Sequence, residues 1–172
     1  RQPAAQIAKR TGNTNLTTVI ADMGDMRAVR AVGQQLARDH ASIDVVIHNA
    51  GALSANRTVN ADGIEVTIAS QVLGPFLLTT LLLPLLQAKG RGRVITMSSG
   101  GMYAAPLTVE RLQMGDDYKG SEQYARAKRA QVTLNEMWAE RHPHRDVVFH
   151  ALHPGWADTP GVQDSLPTFR KI

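Results

Sequence analysis

The stretch SEQYARAKRAQVTL, residues 121–134, predicts a helix that carries Tyr124 and Lys128 four positions apart. Side chains at this spacing lie on one helical face and can contact each other. A phenol has a pKa of about 10, and a neighbouring ammonium favours the phenolate and lowers that pKa. The pair is therefore a candidate general acid or base for an alcohol oxygen. A surface Tyr beside a solvated Lys is the alternative interpretation.

The composition is that of an ordinary globular chain. It has 172 residues, 43% of them hydrophobic and 20% charged, so we expect residues 1–172 to form a single domain. The net charge of +4 comes from basic residues spread along the chain, and no nucleic-acid partner is expected. The absence of cysteine excludes disulfides and a cysteine nucleophile. It is compatible with a reducing compartment, and we expect a cytoplasmic protein.

The most apolar run covers residues 72–86 and contains Gly74, Pro75 and Pro84. Its 15 residues fall short of the roughly 20 that a membrane span needs. A buried core helix is therefore the preferred interpretation, and no transmembrane segment is expected.

Apolar patterning predicts strands that alternate with helices. The strands are expected at residues 16–21, 43–47, 93–97 and 146–152, and the helices at 2–12, 25–40, 63–88 and 121–142. Asp25 is a good N-cap for the second helix. Strands that alternate with long helices predict βαβ units, and hence an α/β fold with a doubly wound parallel sheet in three α-β-α layers.

Polar or glycine-rich residues follow every predicted strand. They are Asp22, HNAG at 48–51, SSGG at 98–101 and HPGW at 153–156. In doubly wound sheets, ligands bind beyond the carboxyl ends of the strands. These residues are therefore expected to line one rim of the sheet, with Tyr124 and Lys128 facing it.

Several short motifs follow one another along the whole chain. They are HNAG at 48–51, DGIE at 62–65 with LGPF at 73–76, VITMSS at 94–99, YARAK at 124–128, and HPG at 153–155 with Thr159. In this order they resemble the motifs of the short-chain dehydrogenase/reductase superfamily. The second of them is similar to the retinol-dehydrogenase-like branch. The resemblance implies a Rossmann-type fold.

The resemblance also implies an oxidoreductase that transfers a hydride between NADP(H) and an alcohol or carbonyl substrate. Tyr124 would be the general acid or base, while Lys128 would lower its pKa and hold the cofactor ribose. Ser99 would stabilise charge on the substrate oxygen, with Ser98 as the minor alternative. Gln71 stands where the family carries a catalytic asparagine that helps to hold a water for proton relay.

The cofactor contacts follow from the same resemblance, with NADP(H) preferred over NAD(H). The expected cofactor-binding residues are Arg1, Asp22, Asn49, Ala50, Gly51, Tyr124, Lys128, Pro154, Gly155 and Thr159. Arg1 would pair with the 2′-phosphate of NADP, because an Arg near this point accommodates that phosphate. A simple polar strand end at Asp22 and an ordinary exposed Arg1 are the open alternatives.

One family feature is missing from this sequence. No glycine-rich phosphate turn is present, since Gly90 and Gly92 follow a helix and precede a strand, the reverse of the required context. The chain is therefore expected to be a fragment that lacks the first βαβ part and the C-terminal end of the fold. Its later three strands should pair in parallel, with residues 16–21 detached or shifted. We expect such a fragment to be inactive alone.

The sequence is compatible with a second function and gives no sign of a metal site. A non-catalytic binding or regulatory member of the family is the alternative, with Gln71 as its sign. No metal is expected, because His142 and His144 do not share a helical face. Met102, Tyr103, Leu107 and Met114 suggest an apolar substrate pocket or plain loop packing. The family's dimers imply a homodimer through the helices at 63–88 and 121–142.

Overall fold

Helices and strands alternate in the computed structural model, which describes residues 2–143 and 146–155. The helices are α1 (Gln2–Thr11), α2 (Met26–Asp39), α3 (Val66–Gln87) and α4 (Gly120–Arg141). The strands are β1 (Val45–His48), β2 (Gly92–Met97) and β3 (Val147–Leu152). Short 3₁₀ turns at Gly100–Ala104 and Val109–Arg111 lie between β2 and α4.

The three strands form one parallel sheet in the order β1-β2-β3. Val46 lies opposite Val94, and Ile95 lies opposite His150, so β2 is the central strand. Each connection between neighbouring strands passes through a long helix, α3 or α4, as parallel pairing requires. This arrangement confirms the predicted α/β class and the parallel pairing of the later strands.

Residues 16–21 do not form the predicted buried strand. They form no regular secondary structure, and within residues 2–143 and 146–155 no segment pairs with them in a sheet. Ile20 is 84% exposed, although its side chain is typical of a buried strand. A β-branched run becomes a strand only when a neighbouring strand satisfies its backbone, and none does so here. The expectation that this segment is detached from the sheet is confirmed.

The helix boundaries follow from local capping. Asp25 caps α2 as predicted, since its carboxylate accepts hydrogen bonds from the main-chain N–H groups of Arg27 and Ala28. Helix α3 begins three residues later than expected because Glu65 caps it in the same way, at the N–H groups of Thr67 and Ile68.

The main core lies between α3 and the sheet. Its buried members are Leu82, Leu85, Leu86, Val94, Val147 and Phe149. Trp138 of α4 stacks on Phe149 with ring centroids 5.7 Å apart and ring planes at 8°. A second apolar cluster joins α3 to α4 through Ile68, Val72, Ala127 and Ala130. The two clusters fix both helices against the sheet, and with them the side chains near its rim.

Helix α3 is apolar for more of its length than the 15-residue run suggested. Its 22 residues are long and apolar enough to cross a membrane, judged by length and composition alone. About 44% of its most apolar window is buried, and its leucines pack against the sheet as in a core helix. The absence of a transmembrane segment therefore stays a prediction.

The core and the detached segment give contrasting expectations for stability. Leu86 is fully buried, so Leu86→Ala should lower the free energy of unfolding by about 2–5 kcal/mol in urea denaturation. Ile20→Ala is the matched control, and its effect should stay within about 0.5 kcal/mol because the side chain is in solvent. Equal losses in the two variants would mean that residues 16–21 are packed in a sheet.

Candidate active site

Tyr124 and Lys128 occupy one face of α4, as their spacing predicts. The ammonium of Lys128 lies 5.3 Å from the centroid of the Tyr124 ring. It also donates a hydrogen bond of 2.9 Å to the main-chain oxygen of Met97, at the end of β2. Lys128 is only 4% exposed, so this contact replaces water around a buried charge. The pair is therefore at the sheet rim, and the surface interpretation is wrong.

Ser99, rather than Ser98, faces the phenol. The Ser99 side chain lies near enough to the Tyr124 phenol to act on its pKa, and the Ser99 oxygen accepts the N–H of Gly101 at 3.2 Å. Ser98 is buried, and its hydroxyl donates to the main-chain oxygen of Lys128 at 3.5 Å. The structure thus brings Ser99, Tyr124 and Lys128 together at the carboxyl end of β2.

The protonation of this cluster differs from the sequence-based expectation. Burial raises the pKa of Tyr124 above its usual value of 10.0, and the Ser99 side chain only partly opposes this rise. The predicted lowering by Lys128 is therefore wrong in direction, because desolvation of the phenolate outweighs the ammonium over the ring face. Burial also lowers the pKa of Lys128 to about 8. At neutral pH the site holds a protonated phenol beside an ammonium.

Gln71 joins this cluster from α3. It lies in a π-helical turn, Ala69–Leu73, which is a local widening often found at functional sites. Its amide nitrogen donates to the main-chain oxygen of Ala52 at 2.7 Å. Its side-chain oxygen is buried and has no hydrogen-bond partner among the described residues. Gln71 therefore presents an unused acceptor inside the site.

Gly51, in the loop after β1, leaves room for the Gln71 side chain because it has no side chain of its own. A Cβ at this position would lie 2.9 Å from the Gln71 side-chain oxygen and 3.4 Å from the Lys128 ammonium. Asn49, Ala50 and Gly51 are exposed directly after β1, which leaves the strip open to a ligand. This strip lies beside both Gln71 and Lys128.

Asp22 lies on the other side of a cavity of about 500 Å³ that Gln71 also lines. This volume falls within the range of small-molecule sites. One carboxylate oxygen of Asp22 accepts the N–H of Gly24 at 2.7 Å, so the residue is part of a tight turn. The structure places Asp22 at the same rim as Gln71, although residues 16–21 before it form no strand.

The sequence model of the short chain dehydrogenase family matches residues 1–168. The chain belongs to this family. Its motifs and its parallel sheet, described above, agree with that membership.

Relatives within the family differ in how much of their length the chain matches. Dehydrogenase/reductase SDR family member 12 of Homo sapiens is 39% identical over 165 residues, which are 95% of this chain and 51% of that protein. Retinol dehydrogenase 14 of Mus musculus is 34% identical over 134 residues, covering 78% of this chain and 40% of that one. The chain thus spans about half the length of the curated relatives it matches.

Solved structures show the same fold. A protein described as a short chain dehydrogenase from Escherichia coli CFT073, complexed with NADPH, has a TM-score of 0.73 to this chain at 22% identity. The likeness covers 98% of this chain and 66% of that one. It supports the Rossmann-type fold of the family.

The remaining predicted contacts of the family are placed only in part. Pro154 and Gly155 lie in an exposed loop after β3, where Gly155 has a φ of 81° that favours glycine. Arg1 and Thr159 lie outside the described residues. Among the described residues, no group of three or more His, Cys, Asp or Glu side chains could hold a metal. The expected absence of a metal stays a prediction.

Gln131 is a buried contact that the sequence analysis missed. Its amide nitrogen donates to the main-chain oxygen of Gln71 at 2.5 Å, across the gap between α4 and α3. Its position three residues after Lys128 puts both on one helical face, and that spacing could have indicated it. No sequence pattern, however, revealed that its partner is a main-chain atom.

His48, the first residue of the HNAG stretch, is a core side chain. It is buried, and its Nε2 lies 2.7 Å from the Thr79 hydroxyl on α3. Burial lowers the pKa of His48 from 6.5 to about 4. The imidazole is therefore neutral at physiological pH, and its role is to hold β1 against α3.

We expect this buried imidazole to make stability depend on pH. Between pH 6.5 and about 4 the unfolded chain binds a proton at His48 that the folded chain does not, so stability falls as the pH falls. The loss should approach about 3 kcal/mol near pH 4. Urea titrations of His48→Asn should show less of this dependence than the wild type. The exposed His40→Asn control should keep it, and equal slopes in all three proteins would contradict this assignment.

Proposed function

We propose that this chain supplies the catalytic residues of an oxidoreductase that transfers a hydride between NADP(H) and an alcohol or carbonyl substrate. The observation that carries the proposal is the convergence of Ser99, Tyr124 and Lys128 on one rim. The Ser99 hydroxyl contacts the phenol, and the Lys128 ammonium lies against its ring. Geometry of this kind is what a positioned proton donor requires.

Tyr124 acts as the general acid when a carbonyl is reduced and as the general base when an alcohol is oxidised. Its raised pKa keeps the phenol protonated at neutral pH, which suits proton donation to a substrate oxygen. The Ser99 hydroxyl holds that oxygen next to the phenol and stabilises charge that develops on it. Lys128 places a positive charge beside both groups, fixed by its bond to Met97.

The residues of the rim fit a nicotinamide cofactor in part. The exposed strip Asn49–Gly51, the Asp22 carboxylate and the Lys128 ammonium are suited to ribose hydroxyls and an adenine amine. When bound, NADP(H) supplies or accepts the hydride. The glycine-rich turn that would hold the pyrophosphate is not in this sequence. The bound NADPH of the similar Escherichia coli protein is in line with a nicotinamide cofactor, and we propose NADP(H) rather than NAD(H).

The substrate in this proposal is a small, mostly apolar alcohol or carbonyl compound. A relative named retinol dehydrogenase supports this class. Of the four apolar residues expected to line the pocket, Met114 is buried and Leu107 packs on the cluster between α3 and α4. Met102 and Tyr103, in the 3₁₀ turn that follows Ser99, are left as the candidate wall. Tyr103 is 84% exposed, so a ligand could bury much of its ring.

Assembly and location are further parts of the proposal. Phe76 of α3 and Met137 of α4 are each more than a third exposed, which supports a homodimer through these two helices. We propose a cytoplasmic location. No nucleic-acid partner is proposed, because the positive charge is not gathered in one run.

A non-catalytic binding or regulatory protein is the second candidate. Its support is the presence of Gln71 where the family carries asparagine, together with the unsatisfied side-chain oxygen of that residue. The half-buried pair of Ser99 and Tyr124 favours the enzyme, since a binding protein has no need to hold a phenol against a serine. Turnover of a dinucleotide separates the two candidates.

Replacement of the phenol tests the proposed chemistry. In a longer polypeptide that includes a glycine-rich phosphate-binding segment, Tyr124→Phe should lower kcat by about 10²- to 10⁴-fold, because the proton donor is lost. Cofactor affinity, measured by NADPH fluorescence, should change little. Tyr118→Phe is the control, because it removes a phenol hydroxyl that contacts Ser54 and Glu65 rather than Ser99, and it should not reduce kcat in this way. Activity of Tyr124→Phe above about a tenth of wild type would remove Tyr124 from its role.

The chain of 172 residues should not bind the cofactor tightly when it is alone. The sequence has no glycine-rich turn between a strand and a helix, and the N–H groups of such a turn normally supply much of the attraction for the pyrophosphate. Titration with NADPH, followed by its fluorescence, should therefore show no saturation in the micromolar range. Saturable micromolar binding would mean that the rim alone holds the dinucleotide.

A further inference from the structure

The π-helical turn of α3 is tied to α4 by one side chain. Ala69–Leu73 forms this turn, and Gln71 lies at its centre. The main-chain oxygen of Gln71 accepts a hydrogen bond of 2.5 Å from the side-chain amide of Gln131. Gln131 is 4% exposed, so the bond is shielded from competing water. The turn is therefore fixed from across the helix interface.

The side chain of Gln71 is held in turn by its nitrogen end. Its Nε2 donates to the main-chain oxygen of Ala52 at 2.7 Å. Gln71 is thus held at two points, its side-chain nitrogen and its main-chain oxygen. Because the carboxamide is planar, its side-chain oxygen then has little freedom to point elsewhere. That oxygen is buried and has no partner among the described residues. A buried oxygen without a hydrogen bond costs free energy, because it has lost its contacts with water, unless a donor is close to it.

The ammonium of Lys128 is the donor on the same side of Gly51. A Cβ on Gly51 would touch both the Gln71 side-chain oxygen and the Lys128 nitrogen, at 2.9 Å and 3.4 Å. Lys128 has three N–H donors, and the main-chain oxygen of Met97 takes one of them. The amide dipole of Gln71 thus presents its negative end on the side of a buried positive charge, beyond direct hydrogen-bond distance, where one bridging water could join the two groups.

We propose that Gln131 is a positioning residue of this site, which holds the π turn by its bond to the main-chain oxygen of Gln71 and so directs the Gln71 side-chain oxygen at the Lys128 ammonium. It touches neither substrate nor cofactor in this role and acts through Gln71. The proposal rests on the proposed function only in naming the cluster an active site. Its contacts can be tested without any turnover.

The first test measures the pKa of Lys128 by NMR of ¹³C-lysine-labelled protein, with the signal assigned by its loss in Lys128→Arg. The wild-type pKa lies at about 8. Gln131→Met keeps the length of the side chain but cannot donate to the main-chain oxygen of Gln71. The side-chain oxygen of Gln71 should therefore move away from the Lys128 ammonium. The Lys128 pKa should then fall by about half a unit or more, because burial persists without the acceptor. Tyr124 does not interfere, since its raised pKa lies well above this range.

Gln123→Met is the matched control. Gln123 is a fully buried glutamine of the same helix, but its side chain holds the loop before α4 through the N–H of Met114 and the oxygen of Leu112. Its replacement should lower the melting temperature and leave the Lys128 pKa unchanged. A general loosening of α4 would instead shift that pKa in both variants, and this result would overturn the proposal.

Gln71→Met separates the positioning role from a structural one. It removes the acceptor itself, so the Lys128 pKa should fall by as much as in Gln131→Met, and the double variant should fall no further. A lower Lys128 pKa in Gln71→Met with a wild-type pKa in Gln131→Met would refute the role of Gln131, and so would additive shifts.

If Gln131→Met does not fold, Gln131→Asn replaces it in this test, because the shorter side chain cannot reach the main-chain oxygen of Gln71. If the longer polypeptide with the phosphate-binding segment shows no turnover while the Lys128 pKa values follow the expected pattern, that result would count against the proposed function alone.

Discussion

The bond from the Lys128 ammonium to the main-chain oxygen of Met97 is the contact on which the site depends. It joins the middle of α4 to the end of the central strand β2 at 2.9 Å. A buried ammonium without an acceptor would be costly, so this bond also restricts how α4 can rotate over the sheet. With the rotation fixed, Tyr124 lies one turn earlier on the same face, within reach of Ser99 just beyond β2.

Small residues make the rest of that geometry available. Ala127 and Ala130 bring α4 close to Ile68, which directly precedes the π turn of α3, and to Val72 within it. Longer side chains at the two alanines would separate the helices and break the bond between Gln131 and Gln71. The absence of a side chain at Gly51 has a similar effect from the other side, because a Cβ there would displace the Gln71 oxygen. Packing and polar contacts are thus parts of one arrangement.

Burial changes the electrostatics of this arrangement in one consistent sense. It disfavours every charged form, so it raises the pKa of the Tyr124 phenol and lowers the pKa values of Lys128 and His48. The expectation of a more acidic phenol came from the spacing of Tyr124 and Lys128 alone. Spacing says that two groups are near each other, but it carries no information on how much water both have lost.

The sequence by itself determined the elements and the candidate side chains. Periodicity, the Asp25 cap and the order of the motifs were enough for the parallel sheet and for Ser99, Tyr124 and Lys128, because these signals are local in the chain. Only the tertiary structure decided three things: that residues 16–21, expected to be detached, do not form a strand at all, the direction of the Tyr124 pKa and the bond from Gln131 to Gln71. Each depends on a segment that is distant in the chain but close in space. A strand needs a neighbouring strand, the pKa of a phenol depends on the groups that exclude water from it, and Gln131 needs a main-chain acceptor. Periodicity and spacing along a chain do not record those neighbours.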